Sequence, residues 1–212
     1  HWHTVVGRST APDEIEAVTP ERVEQGIDLR IWLARDAGQR FIGRRRRTVG
    51  PVGCGLCGVE TLAAAMRELD SVRGDCVIPA ADLDAALAQM DAGQRLRDAT
   101  GASHAAGFLV PGRGLIALRE DVGRHNALDK LAGALLRGPD AGLIGQGAVV
   151  LTSRISVDLV QKTATLGAPV LIALAAPTSA AVAAAEAAGI GLAGRARSAA
   201  KAEIYAHPER FA

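Results

Sequence analysis

Short apolar runs alternate with helical patterns through the second half of the chain, and this alternation limits the fold more than any other feature. Ala148-Val149-Val150-Leu151 is a continuous apolar run, typical of a strand that is covered on both faces. A helical pattern follows over residues 157–166, a second strand over 170–174, and a second helix from 177 to 189. Strands that alternate with helices over about 100 residues predict an α/β layered sandwich with a largely parallel sheet.

Further elements are predicted upstream. Residues 27–33 alternate apolar and polar side chains, as a half-buried strand does. Pro79 opens a helix whose Leu83, Leu87 and Met90 share one face. Two strands, 104–110 and 115–118, flank the turn 111–114, and a helix follows from about residue 121. Residues 1–26 are polar and predict only a short helix that starts near residues 11–14.

Composition excludes several classes of protein. With 212 residues, 49% of them hydrophobic and 22% charged, the chain has enough apolar residues to build one or two cores. A net charge of +1 argues against a general nucleic-acid binder. No apolar stretch reaches the roughly 18 residues that a membrane span needs, and no secretory signal is visible. Three cysteines do not form a secreted disulfide framework, so a reducing cytoplasm is the expected location.

The segment Gly53-Cys54-Gly55-Leu56-Cys57-Gly58 carries the most reactive chemistry of the chain. An arginine run at 44–47 precedes it and a predicted helix follows it, and both favour a thiolate. The glycines let another molecule approach the loop backbone closely. Three uses remain open: a dithiol redox pair, a persulfide carrier, or a zinc site. The zinc site would need Cys76 and a histidine, His104 or His125, as further ligands.

Five co-linear motifs lie between residue 48 and the end of the chain. The longest is the segment 120–130, Glu-Asp-Val-Gly-Arg-His-Asn-Ala-Leu-Asp-Lys. The others are the cysteine loop, Thr100-Gly101 with His104-Ala105-Ala106, Ser153-Arg154-Ile155-Ser156 with Val160-Gln161-Lys162, and the pair of landmarks Ala176-Pro177-Thr178 and Ile204-Tyr205 with His207-Pro208. Together these motifs resemble the formate dehydrogenase accessory sulfurtransferase (FdhD-type) family.

The resemblance implies a sulfurtransferase activity. Members of this family accept persulfide sulfur from a cysteine desulfurase and pass it to the molybdenum bis(guanine dinucleotide) cofactor, as formate dehydrogenase requires. The implied catalytic residues are Cys54 as sulfur carrier and Cys57 as its partner, with no metal of the protein's own. The expected cofactor-binding residues are Arg195, Ala196, Arg197, Ser198, Ala199, Ala200, Arg154, His104 and Arg124.

The resemblance also implies a cytidine-deaminase-like layered sandwich with a mixed, largely parallel sheet, usually a homodimer. We expect residues 100–212 to form this domain and residues 1–99 to form a partial, smaller N-terminal region that carries the cysteine loop. No His-x-Glu with Pro-Cys-x-x-Cys is present, so deamination is disfavoured. Two other functions remain open: a non-catalytic chaperone that holds the cofactor, and a small zinc-bound regulatory module.

Several candidate residues also have a purely structural interpretation. Arg124 and Asp129 can brace their helix, and Asp121 can favour a helix N-terminus by its charge. Cys76 is expected to be a structural residue. If residues 195–197 are extended, Arg195 and Arg197 point to opposite faces, and only one of them can touch a given phosphate.

Overall fold

The computed structural model describes residues 14–24, 26–43, 69 and 71–212. The chain divides into two units, His1–Gly50 and Pro51–Ala212. The domain boundary expected between residues 99 and 100 stays a prediction.

The first unit contains an antiparallel ribbon followed by a helix. Strand β1, Ile15–Val23, pairs with β2, Gly26–Leu33, and helix α1 spans Arg35–Gly43. The backbone N–H of Ala34 donates to the Glu14 carbonyl at 2.9 Å and closes the end of the ribbon. The predicted strand 27–33 is confirmed as β2, whereas the sequence predicts neither β1 nor α1.

The second unit is built on a six-stranded mixed sheet. Its strands, in spatial order, are β4 (Gly114–Asp121), β3 (His104–Val110), β5 (Ala148–Leu151), β6 (Val170–Ala173), β7 (Gly191–Gly194) and β8 (Glu203–Ala206). Only the β5–β6 and β6–β7 pairs are parallel; the other three pairings are antiparallel. An α/β fold is therefore confirmed. The expected "largely parallel" sheet is wrong, because antiparallel strands flank the parallel centre on both sides.

Helices cover both faces of this sheet. They are α2 (Ala80–Gly93), α3 (Arg95–Thr100), α4 (Arg124–Arg137), α5 (Val157–Leu166) and α6 (Ser179–Ala188), and short 3-10 turns span Ala141–Gln146, Ala199–Lys201 and Pro208–Arg210. Alternate residues of the central strands point to opposite cores. Val149 and Leu171 pack with α4, α5 and α6, while Val150 and Ile172 pack with α2.

The helix boundaries agree closely with the sequence patterns. Helix α5 occupies the predicted residues 157–166, and Gly189, with φ 70°, terminates α6. Thr178 caps the N-terminus of α6, since its Oγ1 accepts a hydrogen bond from the Ala181 N–H at 3.2 Å. The hydroxyls of residues 152–156 predict a cap for α5, but this is wrong: Ser156 is at the N-cap position, and its buried Oγ makes no hydrogen bond within the described part of the chain.

Candidate functional site at the carboxyl edge of the sheet

The parallel strands β5, β6 and β7 all end at one edge of the sheet. Because their neighbours β3 and β8 run antiparallel to them, these two strands begin at the same edge, with His104 and Glu203. Strand β4 ends there as well, opposite the start of β3. We call this region the carboxyl edge; it comprises residue 104 and segments 121–125, 152–156, 174–178 and 195–203. Open α/β sheets bind ligands at such an edge.

Backbone hydrogen bonds join the loops of the carboxyl edge beyond the ends of the strands. The loop after β5 pairs with the loop after β6, since the Thr178 N–H donates to the Ile155 carbonyl at 3.0 Å. The loop after β6 pairs with the loop after β7, since the Arg195 N–H donates to the Ala175 carbonyl at 3.2 Å. A Cβ at Gly194 would lie 2.8 Å from Pro177 Cδ, so this packing requires a glycine. The three loops therefore form one continuous frame.

The expected cofactor-binding segment, residues 195–200, lies in this frame. Arg195 has a left-handed backbone with φ 52°, an uncommon conformation for a residue with a side chain. The Arg197 N–H donates to the Arg195 carbonyl at 2.8 Å and closes a γ-turn around the fully buried Ala196. Residues 195–197 are therefore not extended, so the expectation that Arg195 and Arg197 point to opposite faces does not apply. Both arginine side chains are exposed.

Carboxylates of the protein already accept hydrogen bonds from this segment. Asp84, on α2, accepts from the Ala199 N–H at 2.6 Å. Glu203 accepts from Arg195 Nη1 at 3.1 Å and from the Tyr205 hydroxyl at 2.6 Å. The hydrogen bond from Tyr205 is the main cause that lowers the pKa of Glu203, and the charge of Arg195 adds to it. An anionic ligand of residues 195–200 would have to compete with these two carboxylates.

His104 and Arg124 are brought together on the other side of β5. Burial lowers the pKa of His104, and the positive charge of Arg124 lowers it further, so both favour the neutral imidazole. Arg124 is the first residue of α4. Arg154 is exposed in the loop between β5 and α5. The expected binding residues His104, Arg124, Arg154 and 195–200 thus all lie at the carboxyl edge.

The two acidic residues that open the 120–130 segment have structural roles. Glu120 accepts hydrogen bonds from the N–H groups of Leu96 and Arg97, at 2.7 and 2.9 Å, and from the Ser103 hydroxyl at 2.8 Å. It thereby caps the N-terminus of α3. Burial alone would raise the pKa of Glu120, but these hydrogen bonds together lower it.

Asp121 has the corresponding role for α4. Its carboxylate accepts from the Gly123 N–H at 2.9 Å and from Asn126 Nδ2 at 3.2 Å, and it pairs with Lys130 Nζ at 2.6 Å. Burial would raise the pKa of Asp121, but the contact with Lys130 and the two other hydrogen bonds lower it. The structural interpretation of Asp121 therefore agrees with its contacts.

A buried ion pair next to the carboxyl edge has no signal in the sequence. Lys162 Nζ, on α5, lies 2.6 Å from Asp129 Oδ1, on α4, and the two side chains are only 10% and 6% exposed. Lys162 Nζ also donates to the His125 carbonyl at 3.3 Å. The two partners are 33 positions apart, so no local pattern could have paired them.

The predicted catalytic residues Cys54 and Cys57 lie outside the described residues, as does the arginine run at 44–47. Cys76 is a free thiol in the core beside α2, where its expected structural role places it. Burial raises the pKa of this thiol, and the charge of Arg210 partly offsets the rise. Within the ranges that the structure describes, three or more metal-ligating side chains do not come together at any point.

Across the described segments, no helix combines the length and the apolar character that crossing a membrane requires.

Comparison with known proteins identifies a matching family and several relatives of this chain. Residues 7–212 match the profile of the FdhD/NarQ family. A protein of Agrobacterium fabrum named sulfur carrier protein FdhD is 45% identical over 202 residues, which cover 93% of this chain and 72% of the relative. A protein of the same name from Brucella abortus is 46% identical over 203 residues, covering 95% of this chain and 74% of the relative.

A solved structure shares the fold. It is the crystal structure of a protein from Desulfotalea psychrophila assigned as a formate dehydrogenase accessory protein. The TM-score is 0.68 at 24% sequence identity, over 94% of this chain and 72% of that one.

Proposed function

Because the chain belongs to the FdhD/NarQ family, we propose that it is a sulfur carrier with sulfurtransferase activity. It accepts persulfide sulfur from a cysteine desulfurase on Cys54 and delivers it to the molybdenum bis(guanine dinucleotide) cofactor of formate dehydrogenase. The observation that carries this proposal is the 45% identity, over 93% of the chain, to a protein named sulfur carrier. The Cys-Gly-Leu-Cys sequence at 54–57 supplies the thiols.

The loading step is an exchange at sulfur. The Cys54 thiolate attacks the outer sulfur of the donor persulfide, forms a new S–S bond, and releases the donor cysteine as a thiolate. The product is a persulfide on Cys54, and the transferred sulfur keeps its proton. Only the thiolate is a competent nucleophile, so loading depends on a lowered pKa of the Cys54 thiol.

Cys57 provides a way to unload the sulfur. Its thiolate attacks the inner sulfur of the Cys54 persulfide, which forms a Cys54–Cys57 disulfide and releases HS⁻ to the bound acceptor. The electrons balance within this step, since the two cysteines are oxidised as the outer sulfur leaves in its reduced form. A dithiol reductant then restores both thiols for the next cycle.

The carboxyl edge is the part of the described chain that suits the acceptor. A guanine dinucleotide carries pyrophosphate oxygens, and guanidinium groups bind these through forked hydrogen bonds. Arg154, Arg195 and Arg197 offer such groups on exposed side chains. We assign the phosphates to these arginines and to residues 198–200, with His104 and Arg124 on the far side of β5. In this proposal the molybdenum cofactor is the acceptor substrate, which receives the sulfur that the protein carries.

The proposal extends to the assembly. We propose that the second unit has cytidine-deaminase-like layering, which the helices on both faces of a mixed sheet support. A homodimer is the state expected for such a carrier.

The test is transfer of labelled sulfur. The purified protein is incubated with a cysteine desulfurase and labelled cysteine, and its intact mass is measured with and without reductant. We expect a gain of one reductant-labile sulfur in the parent, no gain in Cys54→Ala, and an undiminished gain in the control Cys76→Ala. If Cys54→Ala gains sulfur as the parent does, Cys54 is not the carrier.

A second function, that of a non-catalytic cofactor chaperone, is favoured by the exposed arginines of the carboxyl edge alone. The two functions predict different results when the variants are expressed in a strain that lacks this accessory activity. A sulfur carrier requires Cys54, so Cys54→Ala would fail to restore formate dehydrogenase. A chaperone would tolerate Cys54→Ala but not Arg197→Ala.

A further inference from the structure

Burying the ion pair Asp129–Lys162 costs desolvation free energy, although the helices that carry it also pack through apolar contacts. Both side chains are almost fully buried, at 10% and 6% exposure, and there the loss of hydration offsets most of the attraction between the two charges. Helices α4 and α5 already pack through Leu128, Leu131 and Leu159, each 0–1% exposed. A pair of apolar residues at 129 and 162 would serve packing equally well.

What the ion pair adds is a fixed position for the first turn of α4. Lys162 Nζ contacts two groups of α4, the Asp129 carboxylate at 2.6 Å and the His125 carbonyl at 3.3 Å. Apolar contacts tolerate sliding and rotation of one helix on another, whereas two directed hydrogen bonds to one ammonium allow a single arrangement. The restraint acts one turn from Arg124, the first residue of α4.

Other polar side chains are buried along the first two turns of α5. Asp158 is 6% exposed, Gln161 is 4% exposed and Thr163 is fully buried. The buried polar groups lie where α4 and α5 both begin, at the carboxyl edge. Their position next to the expected binding residues, at the start of both helices, indicates a purpose other than stability.

We propose that Asp129 and Lys162 are positioning residues for the anion-binding groups of the carboxyl edge, and that they act by fixing Arg124 beside His104. This inference rests on the proposed function, since it assigns the phosphate-binding role to that edge. Neither residue touches the ligand. Their removal should weaken binding of a guanine nucleotide without preventing the loading of sulfur on Cys54.

The test uses a variant that keeps the packing and removes only the pair, Asp129→Leu/Lys162→Leu. GDP serves as the probe, since it contains the guanine and diphosphate groups of the dinucleotide, and its Kd is measured by calorimetry. We expect a Kd at least tenfold weaker than that of the parent, with unchanged sulfur loading on Cys54. The control Leu135→Ala, at the far end of α4, lowers stability and should leave the Kd for GDP within twofold of the parent.

A second measurement detects the displacement itself. Titration of His104 by NMR should give a higher pKa in the double variant, because the charge of Arg124 no longer lies in its present place. The control Leu135→Ala should titrate as the parent does. A folded double variant with an unchanged His104 titration and an unchanged Kd for GDP would overturn the inference. If the parent itself does not bind GDP, the binding role proposed for the edge fails, and the His104 titration alone decides whether the pair positions Arg124.

Discussion

Removal of Lys162 alone should destabilise the protein far more than removal of the whole Asp129–Lys162 pair. In Lys162→Leu the Asp129 carboxylate, 6% exposed, loses an ammonium group that lies 2.6 Å away. Breaking a buried pair in this way costs about 3–5 kcal/mol. That is a large share of the roughly 5–15 kcal/mol by which a folded domain is stable. In Asp129→Leu/Lys162→Leu neither charge remains, and we expect a change within about 1 kcal/mol, or a gain.

Urea unfolding of the parent, both single variants and the double variant measures this difference. The free energies of unfolding are compared at equal m values, so that a change in the unfolded state is not mistaken for a change in the pair. The expected coupling energy between positions 129 and 162 is at least about 2 kcal/mol. If Lys162→Leu costs no more than the double replacement, the two charges are not coupled, and the argument from a buried pair is refuted.

Three further predictions concern single carboxylates and one histidine. Glu120→Ala removes the cap of α3 and should cost about 0.5–2 kcal/mol at pH 7. Since the folded pKa of Glu120 is lowered, this loss should shrink as the pH falls from about 4.3 through the folded pKa, as urea unfolding at two pH values will show. Burial lowers the pKa of His207, but hydrogen bonds to Glu209 and to the Glu186 carbonyl raise it by more. The free energy of unfolding of the parent should therefore exceed that of His207→Gln by the full amount below about pH 6.5, and this difference should disappear as the pH rises through the folded pKa of His207. Equal differences in the free energy of unfolding at about pH 5.5 and about pH 8.5 would contradict this. Glu203→Gln releases Arg195 and should tighten GDP binding by up to about fivefold in calorimetry, whereas Tyr205→Phe, which keeps the charge of Glu203, should not.

The parts of the fold that the sequence predicts are those in which local pattern and tertiary packing agree. Strand β5 is apolar throughout because helices cover both of its faces, and α5 follows it with the predicted bounds. Strand β7 was missed because Gly-Leu-Ala-Gly has no β-branched residue, and its neighbours β6 and β8 hold it in the sheet. Strand β1 contains Pro20 and polar residues, which an exposed two-stranded ribbon tolerates.

The candidate binding residues are those that the family resemblance implies, and their role stays a prediction. The arginines of 195–197 and Arg154 follow strands, and parallel strands bring such loops together. The contact of Asp84 was not predictable, because a carboxylate 115 positions away from Ala199 leaves no local trace. The γ-turn at Ala196 depends on the neighbouring loop and not on the Arg-Ala-Arg sequence itself.

The continuous frame of loops at the carboxyl edge has a consequence for the diversification of such proteins. Main-chain hydrogen bonds join its three loops, so exposed side chains can change while the loops stay joined. Exchanges at the outward positions 154, 195 and 197 can then alter the preferred acceptor without rebuilding the backbone. A library that varies these three positions alone is a direct way to seek carriers with a new selectivity.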